Sequence, residues 1–162
     1  IGLDYYWDKT FVNEQKQAFR TQMEWALEFD IPIVIHTREA TKDTIDIVKE
    51  YTSKGIRGVF HCFSGSYETA LQIIDCGFYL GIGGVLTYKN AGLQEVVQKI
   101  DLKHLVLETD APYLTPAPHR GKRNESSYAN LVAQKLAELK SVALQEVRNK
   151  TTENAMKLFS VS

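Results

Sequence analysis

Short apolar segments alternate with longer amphipathic stretches along this chain. Four apolar segments have the length of strands, at 31–35, 58–63, 78–82 and 104–108, and residues 1–3 have the pattern of the tail of a fifth. The stretches between them carry apolar side chains at helical spacing, as on the face that includes Phe11, Phe19, Met23 and Ala26. This alternation predicts an α/β fold in which helices connect parallel strands.

Glycine and proline mark where the predicted helices end. Gly55 and Gly77 each follow a helical pattern at the position that commonly terminates a helix. A loop with three prolines follows Asp110, and two more helices are predicted at 126–139 and 144–159. A doubly wound sheet and a barrel are both compatible with this pattern, so the choice depends on where the polar residues fall.

Polar residues recur at the ends of the predicted strands. Asp4, His36, His61 and Asp110 each follow or close an apolar segment. In a TIM barrel the carboxyl ends of the strands converge on one mouth, where such residues meet. Imidazoles and carboxylates are ligands of catalytic divalent metals. Because core packing gives no reason for this repetition, we interpret His36, His61 and Asp110 as a metal site.

Two further histidines have different predicted roles. His104 precedes its strand, so we expect it at the opposite rim with a structural role. His119 lies in the proline-containing loop, where it is either exposed without a function or in contact with substrate.

Arginines and small residues near the predicted mouth suit a phosphate-bearing substrate. A guanidinium matches phosphate oxygens in a bidentate manner, and Arg38 and Arg120 follow His36 and Asp110 in the chain. Ser64 and Gly65 offer a hydroxyl and a turn whose amides can face a phosphate. These residues predict substrate binding at the mouth, with surface ion pairs as the alternative for the arginines.

Aromatic side chains cluster after the first strand segment. Tyr5, Tyr6 and Trp7 are consecutive, and Tyr113 follows Asp110. Such rings either stack on exposed bases or pack beneath the loops, and the sequence leaves both alternatives open.

Composition narrows the class of protein. The chain has 162 residues and a formal net charge of -1, so we expect one domain over 1–162 that recognises any phosphate locally. Two cysteines without metal-binding spacing favour a reducing, cytoplasmic location, and no apolar run approaches the length of a membrane helix. The start at Ile1 has neither a methionine nor a signal peptide, which suggests that the chain begins within a longer domain.

Five segments of the chain resemble the TatD-type metal-dependent deoxyribonucleases of the amidohydrolase-like group. These segments are IGLDYY at 1–6, PIVIHTR at 32–38, HCFSG at 61–65, ETDAPYL at 108–114, and RG with NE at 120–125. The resemblance implies a (β/α)8 TIM-type barrel of which this chain holds about the second half, from the end of strand 4 to the last helix. It further implies hydrolysis of DNA phosphodiester bonds, with single-stranded DNA or 3′ ends as substrate and exonucleolytic cleavage.

The resemblance also implies a metal centre with assigned roles. His36, His61 and Asp110 correspond to metal ligands, and Asp110 also to the general base. Two divalent ions, Mg²⁺, Zn²⁺ or Mn²⁺, are expected in the intact enzyme. The family's His-x-His pair has no counterpart here, and its glutamate would fall just before Ile1. We therefore expect the chain alone to be inactive and to need an N-terminal half that completes the barrel.

Two alternatives remain open at this point. The same barrel in the amidohydrolase superfamily acts on amides, lactones or phosphotriesters rather than on DNA. A half-barrel lacking ligands could instead be an inactive fragment or an interaction module. DNA digestion assays with and without a chelator distinguish these alternatives.

Overall fold

A single parallel β-sheet organises the molecule. The computed structural model describes residues 1–89 and 91–160, and its five strands lie in chain order, each parallel to the next. They are β1 (Gly2–Asp4), β2 (Ile33–Arg38), β3 (Gly58–Phe60), β4 (Tyr79–Ile82) and β5 (Leu105–Leu107). The predicted α/β class with a parallel sheet is therefore confirmed, and all five strand segments lie within two or three residues of their predicted positions.

Helices connect successive strands and follow the last one. They are α1 (Val12–Glu28), α2 (Thr41–Lys49), α3 (Tyr67–Asp75), α4 (Leu93–Lys99), α5 (Ala129–Lys140) and α6 (Leu144–Phe159). The helix predicted at 126–139 begins with a separate 3-10 turn at Ser126–Tyr128 before α5. Gly55 and Gly77 both adopt positive φ after helical segments, as a helix-terminating glycine does.

The two faces of the sheet have different surroundings. On one face, alternate residues of the five strands join the main hydrophobic core with helices such as α1. These core residues of the strands include Leu3, Ile35, Phe60, Leu80 and Leu105. On the opposite face, which we call the inner face, Val34 of β2 is 45% exposed, whereas Val59 and Val106 are buried against Leu158 of α6.

The exposure of β2 departs from expectation. Parallel strands are usually covered on both faces, so their side chains form continuous apolar runs. β3 follows that rule, but β2 alternates between buried Ile33 and Ile35 and exposed Val34 and His36. The inner face is therefore open at β2 and closed by α6 near β3 and β5.

The prediction that the chain is about half of a barrel needs correction. Residues 2–4 form a strand that pairs with β2 along one edge, and Gly2 lies so close to the main chain of His36 that a Cβ would not fit. The described residues pack as one five-stranded α/β unit around one principal core, with β1 and β5 at the two ends of its sheet. Within this part of the chain, no helix combines the length and the apolar character needed to cross a membrane.

Candidate metal centre

The predicted site residues are on or just beyond the inner face at the carboxyl ends of the strands. In the sheet register, His36 is next to Gly2 and Asp4 is next to Arg38. The His61 N–H donates a hydrogen bond to the Ile35 carbonyl, so His61 continues β3 beside the end of β2. Side chains two residues apart share a face, which places His61 on the same face as Val59. We call this end of the sheet the mouth.

His61 lies between two carboxylates. Its Nδ1 is 3.0 Å from Oε2 of Glu108, and its Nε2 is 3.2 Å from Oδ1 of Asp110. The Glu108 hydrogen bond raises the pKa of His61, burial opposes the rise, and the charges of Glu108 and Asp110 add to it. Glu108 is itself fixed, because its Oε1 accepts a hydrogen bond from the Cys62 N–H at 2.6 Å.

The donor set around His61 fits a divalent cation. When Nδ1–H donates to Glu108, the neutral ring presents the lone pair of Nε2 toward the Asp110 carboxylate. Two electron-pair donors that face each other at 3.2 Å require a positive charge between or beside them. A proton on Nε2 would supply it, and the raised pKa of His61 has the direction expected for that position. A divalent metal held by Nε2 and the carboxylate meets the same requirement.

Cys62 is part of a second possible ligand set. Ligand atoms of His61, Cys62 and Glu108 lie within 4.8 Å of one another. Burial strongly raises the pKa of the Cys62 thiol, and the charge of Glu108 raises it further. Metals bind the thiolate, and both Glu108 oxygens already accept hydrogen bonds. The Nε2 side of His61 therefore offers a divalent metal the more available donors.

His36 forms a second histidine–carboxylate pair at the mouth. Its Nε2 is 2.8 Å from Oδ2 of Asp4, whose Oδ1 accepts the N–H of Tyr6 at 2.9 Å. Burial raises the pKa of Asp4. Hydrogen bonds from His36 and the Tyr6 N–H, together with the charges of His36 and Arg38, lower it by more, so the pKa of Asp4 is below its usual value. Asp4 therefore remains an ionised carboxylate beside His36.

Both predicted phosphate-binding arginines rest on tyrosine rings. The Cζ of Arg38 is 3.5 Å from the ring centre of Tyr6, and that of Arg120 is 3.9 Å from the ring centre of Tyr88. Tyr88 follows the 3-10 turn after β4, so the two pairs lie toward opposite ends of the strand order. Cation–π contacts orient a guanidinium without occupying its N–H donors.

The remaining predicted residues divide between the mouth and the opposite rim. Ser64 is exposed and lines a cavity of about 160 Å³ together with His61 and Gly65. His104 immediately precedes β5 at the opposite rim, as predicted. His119 stacks on Tyr128, with ring centres 4.7 Å apart, which gives it a packing role.

Three of these contacts do not follow from the sequence alone. The pattern of strand ends identifies Asp4 but does not pair it with His36, and it assigns no role to Glu108. The third contact is the close approach of Glu108 to Gly81, where an added Cβ would be 2.5 Å from Oε2 of Glu108. The alternation along β5 could have indicated this role. Val106, Glu108 and Asp110 are two residues apart, so their side chains are expected on one face of the sheet.

The sequence profile described as "TatD related DNase" matches residues 1–160. The chain belongs to this family. YabD of Bacillus subtilis (strain 168), named an uncharacterized metal-dependent hydrolase, is 47% identical over 163 residues, which cover 100% of this chain and 64% of that protein. YcfH of Escherichia coli (strain K12), which has the same description, is 38% identical over 161 residues, covering 99% and 61%. The chain thus spans 61% to 64% of the length of these TatD-family relatives.

Solved structures agree with this assignment. The crystal structure of YjjV, a TatD homologue from Escherichia coli K12, matches with a TM-score of 0.93 at 29% identity, over 100% of this chain and 62% of that one. A TatD-family hydrolase from Entamoeba histolytica matches with a TM-score of 0.82 at 28% identity, over 98% and 61%. The fold of the described residues is therefore that of the TatD family over the matched portion.

Proposed function

We propose that the mouth is the metal-dependent hydrolytic centre of an enzyme that cleaves phosphodiester bonds in DNA. The observation that carries this proposal is the position of His61, which bonds Glu108 through Nδ1 and faces Asp110 through Nε2. A metal-binding histidine usually donates its other ring N–H to a carboxylate, a backbone carbonyl or water. The name "metal-dependent hydrolase" of the relatives YabD and YcfH supports the same class.

Four side chains at the mouth would hold the metal. His61 and Asp110 are one donor pair, and His36 and Asp4 are the other. Mixed nitrogen and oxygen donors suit Zn²⁺, Mn²⁺ or Mg²⁺. When bound, one or two such ions supply Lewis-acid stabilisation of negative charge on the phosphate and lower the pKa of water.

The protein's own groups perform the binding and the proton transfer. Arg38 and Arg120 bind phosphate oxygens, and the exposed Ser64 hydroxyl donates a further hydrogen bond. Asp110 accepts the proton of the attacking water, since a carboxylate at the mouth can act as a general base. Glu108 keeps the proton of the neutral His61 ring on Nδ1, so that Nε2 faces the reaction centre.

DNA is the substrate that the family description and the two arginines favour. The profile that matches the chain is described as a DNase, and single-stranded DNA or 3′ ends would fit a mouth with phosphate-binding groups on both sides. The net charge of -1 means that these local groups must supply the affinity.

An additional segment completes this centre in our proposal. The relatives are longer than this chain, which spans 61% to 64% of their length. Among the described residues, β1 and β5 each have one neighbouring strand, so their outer edges can pair with further strands. We infer that a segment that precedes the matched region in the relatives pairs with both edges and adds metal ligands.

The test compares the 162-residue chain with a protein in which the preceding segment of YabD is joined to it. Single-stranded DNA is incubated with each protein in Mg²⁺, Mn²⁺ or Zn²⁺, with and without a chelator. We expect chelator-sensitive cleavage by the joined protein, little by the chain alone, and loss of activity in His61→Ala and Asp110→Asn. His104→Ala is the control, because its imidazole lies at the opposite rim.

Two results would contradict the proposal in different ways. If the joined protein binds metal but hydrolyses only esters or amides without a nucleotide, the centre is hydrolytic and the substrate class is wrong. If neither protein binds a divalent metal, the hydrolytic proposal is wrong, and the alternative of an inactive fragment or interaction module gains support.

A further inference from the structure

Two aromatic side chains stand beside the mouth with little contact to the core. Tyr6 and Trp7 are two and three residues beyond the end of β1 at Asp4, and Trp7 is 79% exposed. Their rings meet edge to face, with centres 4.8 Å apart and planes at 89°. Tyr5, by contrast, packs against the main hydrophobic core. Core packing therefore accounts for Tyr5 and does not account for Trp7.

The backbone fixes this aromatic pair relative to the site. The Tyr6 N–H donates to Oδ1 of Asp4, and the other oxygen of Asp4 contacts His36. The segment that carries Trp7 is therefore tied to the same carboxylate that pairs with a predicted metal ligand.

Arg38 joins the aromatic pair to the phosphate-binding side of the mouth. Its Cζ is 3.5 Å from the centre of the Tyr6 ring and 5.5 Å from that of Trp7. Arg38 is two residues beyond His36 on β2, which places it on the same face about 6.6 Å farther along the strand. A phosphate held by Arg38 would thus lie beside the aromatic pair, at the same end of the sheet as the metal centre.

We propose that Trp7 is a stacking platform for an unpaired base of a single-stranded substrate whose phosphate binds Arg38. The inference rests on the proposed function and extends it by naming a base-binding subsite. An exposed indole offers a face that any base can cover, and such stacking makes a large contribution to single-strand binding without sequence preference. A base in a duplex has no free face, so the subsite favours single-stranded DNA or a frayed end.

The chain contains a matched control for this proposal. Its two tryptophans are Trp7 and Trp25, and Trp25 is 53% exposed on α1, away from the strand ends. Trp25→Phe leaves Trp7 as the only indole, and Trp7→Phe leaves Trp25. Fluorescence of the two variants therefore reports separately on the mouth and on α1.

The experiment is a titration of the chain with an oligothymidylate in the presence of a chelator, so that binding is measured without cleavage. We expect quenching in Trp25→Phe and none in Trp7→Phe. Trp7→Ala should weaken oligothymidylate binding about tenfold, within the range measured for single stacking residues, whereas Trp25→Ala should leave it unchanged. An abasic strand of the same length should bind wild type and Trp7→Ala equally.

Other outcomes separate this inference from the proposed function. Quenching of Trp7 without metal-dependent cleavage in the joined protein would support the stacking role and contradict the hydrolytic proposal. Cleavage without any effect of Trp7→Ala on binding would overturn the stacking role alone. An equal loss of affinity for the oligothymidylate and the abasic strand in Trp7→Ala would also overturn the stacking role, because it would show that Trp7 does not contact a base.

Discussion

The carboxylate of Glu108 lies across Gly81, and a Cβ at position 81 would be 2.5 Å from its Oε2. Glu108 follows β5, Gly81 is in β4, and His61 follows β3. Because Gly81 has no side chain on the inner face, Glu108 reaches across β4 and bonds His61. The orientation of the predicted metal ligand therefore depends on a glycine that contacts no metal ligand itself.

Gly81→Ala should disturb the site more than the core. The new methyl group must displace Glu108, so we expect the His61 pKa to fall and the free energy of unfolding to drop by about 1–3 kcal/mol, as for other overpacked positions. NMR titration of His61 and urea denaturation measure the two effects. Gly83→Ala is the control, because its Cβ would meet only ordinary contacts at 3.6 Å or more. An unchanged His61 pKa in Gly81→Ala would show that Glu108 adapts freely.

Glu108→Gln should lower the pKa of His61 in the chelated protein. The hydrogen bond and charge of Glu108 are the main causes of the raised pKa. A raised folded-state pKa contributes stability that is fully present below the unfolded value and is lost as the pH rises through the folded value. The free energy of unfolding of wild type should thus decline across that interval, and Glu108→Gln should flatten the decline. His104, whose pKa is lowered chiefly by burial, serves as the internal control.

Added metal should stabilise the folded chain through His61 and Asp110. A ligand that binds only the folded state raises the free energy of unfolding by about 2.7 kcal/mol at one hundred times its dissociation constant. We expect Zn²⁺ to raise the melting temperature of wild type and to raise that of Asp110→Asn much less. Glu108→Gln should weaken Zn²⁺ binding about 10-fold to 100-fold, the range for residues that orient a ligand. A full Zn²⁺ effect in Asp110→Asn would place the metal elsewhere.

The strand ends could be predicted from the sequence because two signals coincide there. His36, His61 and Asp110 follow apolar segments, and parallel strands bring their carboxyl ends to one edge. The pairing of particular side chains could not be predicted, because it depends on register. Asp4 meets His36 since Gly2 aligns with His36 in the β1–β2 pair. Glu108 meets His61 only because position 81 lacks a side chain, and a glycine in a strand can equally mark a bulge or a tight bend.

The open inner face of β2 was also not predictable from composition. Val34 has the same residue type as Val59, yet Val34 is 45% exposed and Val59 is buried against Leu158. The difference arises from the path of α6, which covers one part of the face.

Asn154 should be required for stability although it lies far from the mouth. It is buried in α6, and its Nδ2 donates to the carbonyl of Leu102, just before β5, at 2.8 Å and to that of Leu105, the first residue of β5, at 2.7 Å. Asn154→Ala leaves two buried acceptors without this donor, so we expect a loss of about 1–3 kcal/mol in the free energy of unfolding. Asn149→Ala, on the exposed side of the same helix, should change it little. Similar urea midpoints for the two variants would show that water replaces the amide.

Arg120 should contribute to DNA binding as a phosphate contact, without reading sequence. Its guanidinium rests on Tyr88 beside a cavity of about 540 Å³, and the contact with the ring does not use its N–H donors. Arg120→Ala should weaken binding of different single-stranded sequences by the same factor and should reduce the slope of log affinity against log salt by about 1. Lys54→Ala is a matched control, because Lys54 also lies over a tyrosine, Tyr51, but precedes β3 at the opposite rim. Fluorescence anisotropy of labelled oligonucleotides at several salt concentrations measures both quantities. An equal change of slope in the two variants would assign the effect to net charge and would remove Arg120 from the site.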